Sequence, residues 1–215
     1  MTKTSLRITE IFYSLQGEGK TMGLPTTFIR LTGCPLRCGY CDTEYAFHGG
    51  QEQDISDIIA EVERIGARYI NVTGGEPLSQ KRVHDLMRQL CDLGYQVSLE
   101  TSGALDVSAV DSRVVKVLDV KTPGSGEQSK NKSGNYVLLN KADQVKYVIC
   151  DKADFNWSTE HMQQYQLHEK CEVLFSPVQG QLAAKDLADW VLQEKLPVRF
   201  QIQLHKYLWG DQPGK

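Results

Sequence analysis

Apolar positions along this chain follow two periods in turn. Arg7-Ile8-Thr9-Glu10-Ile11-Phe12-Tyr13 predicts a short strand, and it runs into Ser14 to Lys20, where Gly17 and Gly19 mark an irregular loop. Thr26-Thr27-Phe28-Ile29-Arg30-Leu31, β-branched and aromatic, predicts the first core strand. Ile55, Ile58, Ile59, Val62 and Ile65 then step at helical spacing and predict an amphipathic helix over about 54–65. Tyr69-Ile70-Asn71-Val72-Thr73 returns to strand and ends at Gly74-Gly75. Val83, Leu86, Met87, Leu90 and Leu93 predict a second helix. Tyr95, Val97 and Leu99 alternate as a strand that ends in Glu100-Thr101-Ser102-Gly103.

The same alternation continues to the end. Val114 to Val120 is a near-continuous apolar run closing on Lys121-Thr122-Pro123. Gly124 to Asn135 is polar and glycine-rich, which predicts one long loop and makes it the candidate for a mobile insert. Val145 to Cys150 and Glu172 to Phe175 predict two more strands, with a polar helix over about 153–167 between them. Leu187, Trp190 and Val191 place a last helix, and Val198, Phe200, Ile202 and Leu204 alternate as a closing strand. Strands rich in Val and Ile, separated by helices, predict an α/β fold with a parallel sheet. About six βα units fall short of the eight in a closed barrel, so the expectation is a partial, TIM-like barrel. Sites in such folds form at the carboxyl ends of strands.

Composition narrows the function. A chain of 215 residues suits a single domain, 1–215, around one core. Lys and Arg number 24 against 27 Asp and Glu, with no basic run, so a nucleic-acid partner has no compositional support. No apolar run approaches the roughly 20 residues that cross a bilayer. Met1 to Leu6 lacks the apolar segment of a signal peptide, which predicts a cytoplasmic, reducing setting where clustered cysteines bind metals. Cys91, Cys150 and Cys171 stand apart beside apolar segments and read as buried packing residues.

The chemistry concentrates in Gly33-Cys34-Pro35-Leu36-Arg37-Cys38-Gly39-Tyr40-Cys41-Asp42-Thr43. Three thiols at C-x3-C-x2-C are soft ligands for zinc or an iron–sulfur cluster. Zinc would need a fourth donor, for which His48 is the near candidate. A cubane cluster would keep one iron free of protein ligands, open to a substrate or cofactor. Thr73-Gly74-Gly75-Glu76-Pro77 could be an ordinary turn. Placed at the next strand end, its glycines permit close backbone approach to a ligand, and Glu76 offers a carboxylate to a cationic amine.

These two motifs together resemble the radical S-adenosylmethionine superfamily over nearly the whole chain. Ser14-Leu15-Gln16-Gly17-Glu18-Gly19, Phe28 to Leu31, Cys41-Asp42-Thr43, Glu100 to Gly103 and His205-Lys206-Tyr207-Leu208 are further similar to the 7-carboxy-7-deazaguanine synthase family of queuosine biosynthesis. The resemblance implies a 4Fe–4S cluster on Cys34, Cys38 and Cys41 and a magnesium ion on Thr43. It implies a pterin substrate held by Leu15, Gln16, Gly17, Glu18, Arg30, Thr101 and His205. S-adenosylmethionine would meet Gly74, Gly75, Glu76, Gly103, Asp119, Val120 and Lys121, together with Ser176, Pro177, Val178 and Gln179. It also implies an electron donor such as flavodoxin, a homodimer, and conversion of 6-carboxy-5,6,7,8-tetrahydropterin to 7-carboxy-7-deazaguanine and ammonia. Two alternatives stay open at this level: an activator of a glycyl-radical enzyme, and a zinc or cluster scaffold without catalysis.

Overall fold

One twisted sheet organises the computed structural model, which describes residues 5–210, 212, 214 and 215. Residues 1–4 of the polar start, and Asp211 and Pro213 of the tail, lie outside the described residues. The strands are β1 (Ser5–Leu15), β2 (Pro25–Leu31), β3 (Gln51–Asp54), β4 (Tyr69–Gly74), β5 (Gln96–Thr101), β6 (Val115–Asp119), β7 (Gln144–Ile149), β8 (Glu172–Pro177) and β9 (Arg199–Phe200). The helices are α1 (Ile55–Ile65), α2 (Val83–Asp92), α3 (Lys152–Gln164), α4 (Leu167–Lys170), α5 (Ala184–Gln193) and α6 (Leu204–Trp209). Sheet order is β3-β1-β2-β4-β5-β6-β7-β8-β9. From β2 onward every pairing is parallel, while β1 and β3 add an antiparallel edge. The sheet does not close on itself, since β3 and β9 are its two ends. The expected partial barrel is the architecture found.

Each parallel strand sorts its side chains by alternation. Ile29, Leu31, Ile70, Val72, Val97, Leu99, Val145, Tyr147, Val173 and Phe175 share the apolar core with Ile58, Val62, Leu86, Leu90, Phe155 and Leu187 of the helices. The opposite face carries Phe28, Arg30, Asn71, Thr73, Glu100, Asp119, Lys146 and Val148, which line a cavity. Water-excluding packing thus sits outside the sheet, and polar chemistry inside its curve. Local signals delimit two of the helices, although α3 ends at Gln164, short of the expected 167. Gly66, at φ 75°, ends α1 by donating its N–H to the Val62 carbonyl, and the Asp151 carboxylate caps α3 through the Asp154 N–H.

Three expectations need correction, and one strand carried no sequence signal. Residues 124–135 are not an unstructured insert: they form short 3-10 turns in which Asn135 is buried. Asn131 brackets Lys121, accepting from its N–H at 2.9 Å and donating to its carbonyl at 2.8 Å. The closing strand shrinks to Arg199–Phe200, because Leu204 begins α6 instead of continuing the alternation. The polar strand β3 had no apolar signal and exists by pairing with β1 from Ser5↔Asp54 to Ile8↔Gln51. Only Cys171 of the three isolated cysteines is buried; Cys91 and Cys150 are partly exposed. Among the described residues no helix is long and apolar enough to cross a membrane.

Behind β7 an aromatic cluster seats α3. The Tyr147 hydroxyl shares a 2.8 Å hydrogen bond with His161 Nδ1, and the His161 ring stacks on Trp157 at 4.7 Å. Burial disfavours the imidazolium and depresses His161 to about 4. A histidine held below its unfolded value contributes full stability above about pH 6.5 and loses it as pH falls toward the folded value. Denaturant unfolding at pH 7 and pH 4.5 should show that wild type loses on the order of 2 kcal/mol more than His161→Leu, a figure discounted for partial exposure. Equal losses in both proteins would contradict a neutral, buried role for this ring.

Candidate active site

The cysteine loop is held against the sheet by backbone contacts that tolerate no side chain. Gly75 N–H donates to the Leu31 carbonyl at 3.2 Å, and Glu76 N–H donates to the Gly33 carbonyl at 2.8 Å. A Cβ on Gly74 would lie 2.3 Å from the Leu31 oxygen, and one on Gly75 would lie 2.4 Å from the Gly33 oxygen and 2.7 Å from Cys34 Cβ. The glycine pair therefore serves first to seat the metal-binding loop beside β4. Arg37 staples the loop from outside, donating to the carbonyls of Cys34 (2.8 Å) and Leu36 (2.6 Å). The segment expected to be mobile buttresses it: Gly39 N–H donates to the Ser125 carbonyl at 3.0 Å and Arg37 N–H to Glu127 at 2.6 Å.

Glu76 does not face the cavity. It is fully buried, and its carboxylate accepts from Leu78 N–H (3.0 Å), Thr101 Oγ1 (2.9 Å to each oxygen), Ser102 N–H (2.8 Å) and Ser102 Oγ (2.5 Å). Every donor comes from the turn after β4 or the end of β5. The side chain read from sequence as an amine ligand is a brace that locks two strand ends together. Thr101 spends its hydroxyl proton on that brace, so toward the cavity it can only accept.

A cavity of about 240 Å³ opens at the carboxyl ends of the strands. Cys34, Cys38 and Cys41 line it together with Leu15, Gln16, Gly17, Glu18, Arg30, Thr43, Gly74, Gly75, Thr101, Asp119, Lys121, Val178 and His205. Residues from eight separate stretches of sequence thus share one space. Val120, Gly103, Ser176, Pro177 and Gln179 are not part of its lining. Val120 alternates into the core, Gly103 and Pro177 are buried, Ser176 is fully buried, and Gln179 is exposed.

Arg30 projects from β2 with Nε on Glu10 at 2.7 Å, its guanidinium lying 5.7 Å from the Phe12 ring centroid and 5.8 Å from that of Tyr45. The ion pair uses Nε, and the two terminal nitrogens form no hydrogen bond among the described residues, so the fork's outer edge remains for an anion. Thr43 Oγ1 donates to Asp42 Oδ1 at 2.8 Å, and Asp42 pairs with Lys206 at 3.0 Å. Burial raises the Asp42 carboxyl, but Lys206 and Thr43 outweigh it and lower the group to about 2.

Sequence reasoning missed the floor of the cavity. Lys146 from β7 is bonded to Glu18 and lies 3.5 Å from Asp119 and 3.6 Å from Glu100. Burial alone would strip its proton; the Glu18, Glu100 and Asp119 carboxylates outweigh burial and hold it charged. Burial pushes Glu100 up to about 7 against the pull of Lys146. Asp119 also pairs with Lys121 at 3.2 Å. The available signal was a charge on the same face of each of three apolar strands: Glu100, Asp119 and Lys146.

The tail closes one side. Leu204 N–H donates to the Gly17 carbonyl at 3.0 Å, and Gln203 Nε2 donates to Glu18 at 2.9 Å. A Cβ on Gly17 would fall 2.1 Å from His205 Nδ1, so glycine there is the condition for the tail histidine to dock. Burial lowers the His205 imidazole below its ordinary value.

The thiols fit a cluster better than a single ion. Burial raises all three, Cys38 to about 11, so metal must displace their protons. Among the described residues no three His, Cys, Asp or Glu side chains converge to hold one metal ion. Tetrahedral zinc needs four donors on one centre, whereas cysteines spread along one cavity wall suit separate irons of a cubane. Gly75→Ala should reduce iron bound per chain after anaerobic reconstitution to below about half, with far-ultraviolet circular dichroism unchanged. Gly134→Ala, outside the cysteine loop and with no atom within 4 Å of its Cβ, is the control and should load normally. Equal loading of the two variants would contradict the seating role of Gly75.

Comparison with known proteins agrees with this geometry. The Radical SAM superfamily model matches residues 28–118, the stretch from β2 through β6 that carries the cysteine loop and the glycine pair. A 7-carboxy-7-deazaguanine synthase of Chlorobaculum tepidum is 43% identical over 97% of this chain and 96% of its own length. One from Koribacter versatilis is 41% identical over 95% of this chain and 97% of its own. The crystal structure of QueE from Escherichia coli superimposes with a TM-score of 0.77 over 94% of this chain and 96% of that one, at 21% identity, and so shares the fold. The superfamily carries with it a 4Fe–4S cluster and S-adenosylmethionine. With the cysteine loop, the glycine-seated strand end and full-length similarity in agreement, the chain belongs to the 7-carboxy-7-deazaguanine synthase family of radical S-adenosylmethionine enzymes.

Proposed function

We propose that this chain converts 6-carboxy-5,6,7,8-tetrahydropterin to 7-carboxy-7-deazaguanine with release of ammonia, the activity named for its relatives. The observation that carries the assignment to this cavity is the juxtaposition of Gln16 and Glu18 with Arg30 beside the three thiols. An aminopyrimidine edge needs carboxylate and amide partners, and a carboxylate needs a cationic fork. When bound, the cluster and S-adenosylmethionine supply one-electron chemistry that removes a hydrogen atom from the substrate.

The protein's part is to bind, orient and exclude water. Glu18 accepts one hydrogen bond on each oxygen, from Gln203 and Lys146, and a carboxylate has capacity for about two more from the substrate's N–H groups. Arg30 offers its free edge to the substrate carboxylate, and the docked His205 closes over it. Thr43 and substrate oxygens, with waters, would hold magnesium, a hard cation that keeps part of its water shell. Lys206 occupies the neighbouring Asp42, so Thr43 and not Asp42 is the direct ligand in this assignment. Backbone groups at Gly74 and Gly75, with Asp119, Lys121 and Val178, form the wall assigned to S-adenosylmethionine. Thr101 lines the cavity as an acceptor toward the substrate, while Gly103, Ser176 and Pro177 support the wall from behind and Gln179 lies at its exposed margin. A mouth partly covered by α6 suits a small molecule better than the polypeptide loop of a glycyl-radical enzyme. We further infer one domain over 1–215, a homodimer, a cytosolic setting and an external electron donor such as flavodoxin.

The test is anaerobic turnover of the reconstituted chain with S-adenosylmethionine, magnesium, dithionite and the carboxytetrahydropterin, with products read by mass. The deazaguanine should form, and Arg30→Ala should raise KM for the pterin by roughly 100-fold through loss of a bidentate contact. Cleaved S-adenosylmethionine with no deazaguanine would keep the superfamily and overturn the substrate.

A further inference from the structure

We propose that Lys146 is a positioning residue that fixes the Glu18 carboxylate for substrate reading, an inference that rests on the pterin assignment above. Glu18 sits in the irregular loop after β1, where no ladder of backbone hydrogen bonds defines its side chain. Its orientation comes from two donors. Gln203 reaches Oε1 at 2.9 Å from the tail, and Lys146 bonds Oε2 from the middle of the sheet.

The two anchors differ in kind. Gln203 belongs to the last segment of the chain, whereas Lys146 lies in β7 between β6 and β8, paired in register with Asp119. Its carbonyl also accepts from Val120 N–H at 2.9 Å. Lys146 is thus the rigid reference, and Glu18 is set against it. Glu100 and Asp119 approach the same ammonium from β5 and β6 at 3.6 and 3.5 Å, which hold it at the centre of the floor.

A purely structural account fits less well. Burying an ammonium and three carboxylates contributes little to stability against an apolar replacement of the same volume. Within reach of Lys146 are Glu18, Glu100 and Asp119, with Lys121 beside Asp119. Gln144 of the same strand holds the loop's backbone, accepting from Lys20 N–H at 2.8 Å, but among the described residues Lys146 is the one strand side chain bonded to the Glu18 carboxylate. Removing it would leave Glu18 with one anchor, from the tail.

Steady-state kinetics of the reconstituted protein separate the possibilities. Lys146→Met should raise KM for the carboxytetrahydropterin by roughly 30-fold while kcat falls by less than about threefold, because binding geometry and not the reacting atoms is lost. Lys146→Arg, which keeps a charged donor, should bring KM to within about fivefold of wild type. In a Glu18→Gln background, adding Lys146→Met should change KM by less than about twofold, since the residue acts through Glu18. Should the single Met variant not fold because Glu100 and Asp119 lose their cation, Lys146→Gln, a neutral donor of similar length, decides in its place: it should raise KM by roughly tenfold in the wild-type background and by less than about twofold in Glu18→Gln. Wild-type KM in Lys146→Met, equal damage in the Met and Arg variants, or a further large loss on top of Glu18→Gln would each overturn the role. Failure of the wild-type chain to bind the pterin would instead overturn the substrate assignment, so the two claims fail separately.

Discussion

At the carboxyl end of β4 two backbones meet at a distance that excludes every side chain. Gly74 and Gly75 lie against Leu31 and Gly33 so closely that a single added carbon would collide with carbonyl oxygens. The placement of the cysteine loop is referenced to that contact. It sets the start of the cysteine loop relative to the sheet, and Glu76, the next residue, fastens the same point to the end of β5 through Thr101 and Ser102. The cysteine loop is therefore not loosely attached to the sheet; its start is clamped between the ends of two strands. Pre-positioned ligands of this kind limit the ordering cost of binding.

A second constraint follows from the open sheet. With helices covering its outer face, the inner face is free to carry polar groups, and it carries them as neighbours: Glu100, Asp119 and Lys146 project from three adjacent strands. Three carboxylates around Lys146 leave the floor anionic even with Lys121 nearby, which favours a substrate edge rich in N–H donors. Arg30 and Lys206 place positive charge elsewhere on the wall, near the region assigned to carboxylate and magnesium. Arg30 is paired with Glu10 and Lys206 with Asp42, so what distinguishes that side of the cavity is the outer edge of the Arg30 guanidinium and not a net positive charge.

Much of this was legible before any coordinates. Strands at Thr26–Leu31 and Tyr69–Thr73 and the helices near 54–65 and 83–93 announced themselves by period, because burial on one face leaves a repeating apolar trace. The cysteine spacing and the glycine pair announced the site. What stayed hidden depended on partners distant in sequence. Gln51–Asp54 became a strand only because β1 offered an edge; Leu204 became helical because its N–H is taken by Gly17; residues 124–135 were ordered by Asn131, Asn135 and the cysteine loop. Glu76 was placed in the right location with the wrong role, since a carboxylate next to a glycine pair looks the same whether it faces a ligand or a neighbouring turn. Lys146 was visible as a charge in an apolar strand, but its three partners converge only in the folded sheet.

The account rests on Cys34, Cys38 and Cys41 holding the cluster and leaving one iron to S-adenosylmethionine, beside an open small-molecule cavity. The most direct measurement is electron–nuclear double resonance on the reduced, reconstituted chain with S-adenosylmethionine carrying a nitrogen-15 amino group. The account predicts a hyperfine coupling from that nitrogen to the cluster. A 4Fe–4S signal with no nitrogen coupling, or protein that retains zinc and forms no cluster, would contradict it.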